Sequence, residues 1–197
     1  MEVLSPDEFI ALCEACRASA PTGIRNRALL GVLYGAGLRL AEALALFPKD
    51  LDLEAGAVHV LHGKGDKRRT VGIDPDCLEL VAAWIDERRR RGLGPLAPLL
   101  CTLAGRRLRG SYVRALLPRL ARRAGITKRV HAHSLRHSLS AQLAAEGVPL
   151  NIIQQQLGHR SVTTTSRYLD HIRPTQVIDA MRQRHPLAGR RQERTDG

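Results

Sequence analysis

Aromatic side chains are scarce in this chain. They supply 3% of its 197 residues, with only three tyrosines among them, so each tyrosine asks for a reason. Long apolar runs are missing altogether: no stretch approaches the roughly 18 residues that a membrane-spanning helix needs. The opening "MEVLSPDEF" has neither the basic nor the apolar region of a secretory signal. These absences lead to the expectation of a cytoplasmic protein with no membrane partner. Cysteine is sparse, and it lacks the grouping of a metal site. Cys13 and Cys16 form a C-x-x-C, but Cys77 and Cys101 stand alone, so a structural zinc ion would lack ligands of suitable spacing. The i, i+3 pair is expected instead as two buried thiols on one helical face. No internal repeat is visible.

Negative charge is the minority sign. Against 31 Lys and Arg there are 19 Asp and Glu, a formal net charge of +12 and a pI near 10.7. Such an excess suits a polyanionic partner, and nucleic acid is the leading candidate. The 44% apolar content is enough for a real core in one domain.

The coarse pattern is mostly helical. "SPDEFIALCEAC" carries a complete helix start, with Ser5 as cap, Pro6 at the first helical position and Glu8 closing the capping box. Further helices are expected at about 24–35 and 39–46. From Pro48 the period changes to two, and "LDLEAGAVHVLHGKGDKRRTVGI" predicts three short strands with turns at 54–56 and 63–66. Asp74 and Pro75 then open a helix ending in "RRRR", which is expected as a solvated, cationic helix end, with contact to phosphate as the alternative. An amphipathic helix over 111–124 contains Pro118, which is expected to kink it. Gly125 is expected to end it, and helices follow at about 134–146, 149–157, 161–170 and 174–184, with Gly147 and Gly158 as left-handed stops. The polar end, "GRRQERTDG", is expected to be disordered.

Four separated fragments have the composition of a phosphate-handling site: Arg39 at a helix start, Lys64 in a hairpin turn, "HSLRH" with His133 and Arg136 one turn apart, and His159 after Gly158. Two guanidinium groups suit the non-bridging oxygens of a phosphodiester, because their planar forks bind two oxygens and keep their charge. Nine residues after His159 stands Tyr168. A phenol attacking phosphorus would form a phosphotyrosine ester, and its pKa of about 10 makes it a tolerable leaving group afterwards.

In these residues the chain resembles the catalytic domain of a tyrosine recombinase, the phage integrase and Xer family. "GAGLRLAEAL" is similar to that family's first arginine box, with Glu42 as the usual acidic companion of Arg39. "HGKGDKRR" resembles its hairpin lysine, "HSLRH" its His-x-x-Arg box, "LGHRSVTTTSRY" its closing segment and "HPLAG" an Xer-like tail. The resemblance implies an α+β, mainly α-helical domain over residues 1–187 with a small three-stranded antiparallel sheet, followed by a tail over 188–197. The family's N-terminal core-binding helices are expected to have no counterpart, since the first helix is expected to start at Ser5.

By the same resemblance, Arg39, Lys64, His133, Arg136, His159 and Tyr168 are catalytic, Glu42 supports them, and Lys67, Arg68 and Arg69 contact DNA. The implied activity is site-specific recombination through a covalent 3′-phosphotyrosine, without metal, ATP or other cofactor. It implies a tetramer on DNA and a monomer when free. Alternatives are type IB topoisomerase-like relaxation and a non-enzymatic DNA-binding regulator.

Overall fold

The computed structural model describes residues 2–61 and 68–158. All of them lie in one compact unit, Met1–Arg160. The helices expected beyond residue 160, and the tail, lie outside the described residues.

Helix α1, Pro6–Glu14, starts as its sequence predicts. The Ser5 amide donates to Glu8 Oε2 at 2.7 Å and the Glu8 amide donates to Ser5 Oγ at 3.1 Å. The helix buries Phe9, Leu12 and Cys13, and the Phe9 ring stacks on Tyr34 with centroids 3.7 Å apart. Cys13 and Cys16 are the buried thiols expected, and burial pushes them up to about 12 and about 11.

Helix α2, Pro21–Tyr34, is buried along nearly its whole length. It begins three residues before the expected start, because Pro21 takes the first helical position while Ala20 offers no side-chain cap to mark it. Its last turn lies against α4, Pro75–Arg90. A Cβ on Gly35 would fall 2.4 Å from the Cys77 Cβ, so the two backbones approach closely here. Helix α3, Leu40–Ala45, follows, then a 3₁₀ turn, Pro48–Asp50.

The sheet is antiparallel in the order β1 (Leu51–Asp52), β2 (Ala57–Val60), β3 (Arg69–Gly72). Val58, Val60 and Val71 point into the core while His59 and Thr70 face water, which is the alternation that the period of two predicts. Val60 pairs with Arg69, which closes the described ladder; Lys64 and Lys67, expected in the connection between these strands, lie outside the described residues.

The expectation for "RRRR" needs correcting at its first residue. Arg88 is 2% exposed, not a solvated end. Its Nη1 donates to Pro98 O at 2.6 Å, Leu99 O at 2.9 Å and Cys101 Sγ at 3.0 Å, and its Nη2 to Gly94 O and Ala97 O. It therefore holds the whole Pro/Gly connection against α4. Arg89 and Arg90 do face solvent.

Helix α5, Gly110–Arg123, runs on through Pro118, which sits on the exposed face where water can serve the carbonyl that proline leaves without a donor. Helices α6, Ala132–Ala145, and α7, Leu150–Leu157, complete the described unit. Gly147 and Gly158 have the positive φ expected of them, and Gly125 has one as well. Trp84 is fully buried in the core, its Nε1 donating to Leu99 O at 2.8 Å.

Candidate active site

The site is built where the turn after α2, the start of α3, the middle of α6 and the end of α7 meet. Gly37 makes that turn at φ 63°. Arg136 comes to it from α6, 99 residues away, with its side chain buried at 3% exposure. Its Nη1 donates to Gly37 O at 2.5 Å and its Nη2 donates to Leu157 O at the end of α7. Arg39 stands at the N-cap of α3, its side chain one-third exposed, and its Nη2 donates to Gly158 O at 3.4 Å. Two guanidinium groups from distant segments thus meet on successive carbonyls, at the end of a helix where the backbone dipole favours cations.

His133 lies one turn before Arg136 on the exposed side of α6. Its imidazole is pushed below its ordinary value by burial first, then by the positive charges of Arg136, His131 and Arg39. Arg39, His133 and Arg136 therefore form one cluster, and His133 is held neutral near pH 7, able to accept a proton.

Glu42 closes the rear of this cluster. Burial raises its pKa, but Arg69 and Arg39 outweigh that and hold it at about 2. Oε1 accepts from Arg39 Nη1 at 2.9 Å and Arg69 Nη1 at 3.0 Å, while Oε2 accepts from the Arg39 amide at 2.9 Å and Arg69 Nη2 at 2.8 Å. Arg69, expected on DNA, is turned inward onto Glu42 with its side chain 15% exposed. Arg68 is exposed. His159 and Tyr168, like Lys64 and Lys67, lie outside the described residues; His159 is the chain neighbour of the carbonyl that Arg39 holds.

His131 belongs to the site without standing in any of the sequence boxes. It caps α6, its Nδ1 accepting from the Ser134 amide at 3.0 Å, and it stacks on His133 with centroids 6.4 Å apart. The "HAHS" pattern could have shown it, since a side-chain acceptor three residues before a serine suits a cap.

Gly37 gives a direct test of this architecture. A Cβ there would lie 2.7 Å from Leu139 Cδ2 and 3.0 Å from Leu157 Cδ2, at a φ that disfavours L side chains. Gly37→Ala is expected to destabilise the protein by about 2–4 kcal/mol, read as a lowered midpoint in urea.

Among the described residues, no group of three or more His, Cys, Asp or Glu is placed to hold a metal ion, and no helix is long and apolar enough to cross a membrane. There is no acidic residue between Glu87 and Glu146, whereas arginines at 106, 107, 109, 114, 119, 122 and 123 are all exposed.

The chain is 38% identical over 192 residues to the tyrosine recombinase XerC of Xanthomonas axonopodis pv. citri, covering 96% of this chain and 60% of that protein. The crystal structure of XerA recombinase superposes with a TM-score of 0.78 at 30% identity, over 94% of this chain and 66% of that one. XerH recombinase bound to its difH substrate before cleavage gives 0.74 at 32% identity, over 91% and 53%. The chain thus spans somewhat under two thirds of the relatives it matches. Over residues 2–173 it matches the phage integrase family, and with the fold of recombinase catalytic domains around this arginine cluster, the chain belongs to that family.

Proposed function

We propose that the protein is a tyrosine site-specific recombinase that breaks and rejoins double-stranded DNA in the cytoplasm, as a tetramer on DNA and a monomer when free. The convergence of Arg39 and Arg136 beside a neutral His133 carries this reading.

In the proposed reaction the Tyr168 oxygen attacks the scissile phosphorus, and the phosphodiester is exchanged for a 3′-phosphotyrosine ester. Arg39, Arg136 and His159 take the charge that develops on the non-bridging oxygens. His133 receives the phenol proton, and Lys64 protonates the departing 5′ oxygen. Because the ester keeps the bond energy, reversal on a new 5′ hydroxyl rejoins DNA with neither metal nor ATP. Lys67, Arg68 and the exposed arginines of α5 bind the DNA backbone. XerH, whose structure contains its DNA substrate, supports the substrate class.

Covalent capture tests this with no target sequence chosen beforehand. The protein is incubated with nicked duplexes of randomised sequence and boiled in detergent, and the DNA that stays attached is recovered. A reproducible sequence is expected, with the attached nucleotide mapped to Tyr168 by mass spectrometry. Attachment at another side chain, or no attached DNA, overturns the proposal.

A further inference from the structure

We infer that Arg69 is a positioning residue for the reaction: by acting as the counter-ion of Glu42, it leaves the positive charge of Arg39 available to the scissile phosphate. This rests on the recombinase reading of Arg39 given above.

Glu42 is 4% exposed and orients Arg39 through both carboxylate oxygens, one on the guanidinium and one on the amide. Alone, such a pairing would cancel the charge it orients. A buried carboxylate beside a single guanidinium makes a neutral pair, with little attraction left for a phosphate. Arg69 alters that balance. Its two Nη atoms bind both Glu42 oxygens in a bidentate fork, at 3.0 and 2.8 Å, so two cations share one anion and a net positive charge remains. Of the two cations, Arg69 is the more enclosed, with 15% of its side chain exposed against 33% for Arg39. The charge left over is therefore presented on the Arg39 side.

The same contact fixes position. Arg69 begins β3, five residues after Lys64 in the sequence, and its guanidinium lies against Gly158. A Cβ on Gly158 would fall 2.8 Å from Arg69 Nε and 3.0 Å from its Cζ. The strand that follows the proposed general acid is thereby fastened both to the arginine box and to the turn before His159. Glycine at 158 is needed for this approach as well as for its φ of 62°.

Two readouts test the inference, on the full chain. The first needs no DNA: the Glu42 carboxyl carbon is followed by ¹³C NMR as pH is varied. In the parent protein it is expected to stay ionised down to the low pH that its paired state implies, and in Arg69→Met to titrate at higher pH, because burial is then opposed by Arg39 alone. The second is the rate of adduct formation on the captured duplex. Arg69→Met is expected to slow it at least about tenfold, Arg69→Lys to retain most of it, and Glu42→Gln added to Arg69→Met to recover about threefold or more, since removing the anion frees Arg39 again. A merely structural Arg69 predicts further loss on adding Glu42→Gln. Circular dichroism confirms that each variant is folded. An unchanged Glu42 titration in Arg69→Met, or a double variant no faster than Arg69→Met, overturns the inference. If the parent protein forms no adduct on any duplex, the recombinase reading fails while the titration still decides whether Arg69 is the counter-ion of Glu42.

Discussion

Tyr168→Phe is expected to lower covalent protein–DNA adduct by at least about 10⁴-fold while leaving the affinity for the captured duplex within about twofold, because the lost hydroxyl acts in bond making and not in binding. The structure strengthens this by occupying the other two phenols. Tyr34 is buried under Phe9, its hydroxyl donates to Gln142 Oε1 at 2.7 Å, and burial pushes it up to about 12. Tyr112 donates to Asn26 Oδ1 at 3.1 Å and accepts from Arg25 Nη2, whose guanidinium also sits 5.0 Å from the ring centre. Neither is offered to a phosphate. The measurement is a denaturing gel for adduct beside fluorescence anisotropy for binding. Adduct persisting at the parent level in the phenylalanine variant would refute the assignment of the nucleophile.

The second large effect is expected inside a run of four identical residues. Arg88→Met should destabilise the protein by about 3–5 kcal/mol, a fall of about 10 °C in Tm, whereas Arg89→Ala should stay within about 0.5 kcal/mol of the parent. The methionine fills much of the same volume, so a cavity is not the cause. Five acceptors between Gly94 and Cys101 lose this donor, four of them backbone carbonyls; Leu99 O keeps Trp84 Nε1 and Gly94 O keeps the Ala97 amide, and Ala97 O, Pro98 O and Cys101 Sγ lose the bond that Arg88 gave them. Arg89 is 73% exposed and pairs with Asp86 in water, where an ion pair contributes little. Thermal melts followed by circular dichroism decide it, and equal losses in the two variants would contradict the burial argument.

Arg88 also marks the kind of information that a linear reading loses. The capping box at Ser5, the strand alternation and the glycine stops are local chemistry, repeated every two to four residues, and all were legible. The boxes were legible through the resemblance to recombinases, and Arg39, Glu42, His133 and Arg136 come together as that resemblance implied. What stayed hidden depends on a partner far along the chain. Arg69 looks like one more base in "KRR" until Glu42, 27 residues earlier, is seen beneath it. Arg88 looks like a solvated charge until the connection 94–101 folds over it. The early start of α2 was hidden differently: only Pro21 marked it, in the absence of a capping side chain.

The reach of Arg136 has a consequence for the order in which the protein is made. Its two carbonyl partners stand 99 residues behind it and 21 ahead of it, and two residues beyond it Ser138 Oγ accepts from the Leu4 amide, 134 residues back. During synthesis, most of the exposed arginine surface of α5 leaves the ribosome well before Leu157 does. The basic surface of a nascent chain is therefore complete long before Leu157 is there to hold Arg136. Pairings this distant in sequence are slow to form and belong to the late stages of folding. A chain interrupted before α7 would carry the basic surface of α5 without the Leu157 carbonyl that holds Arg136.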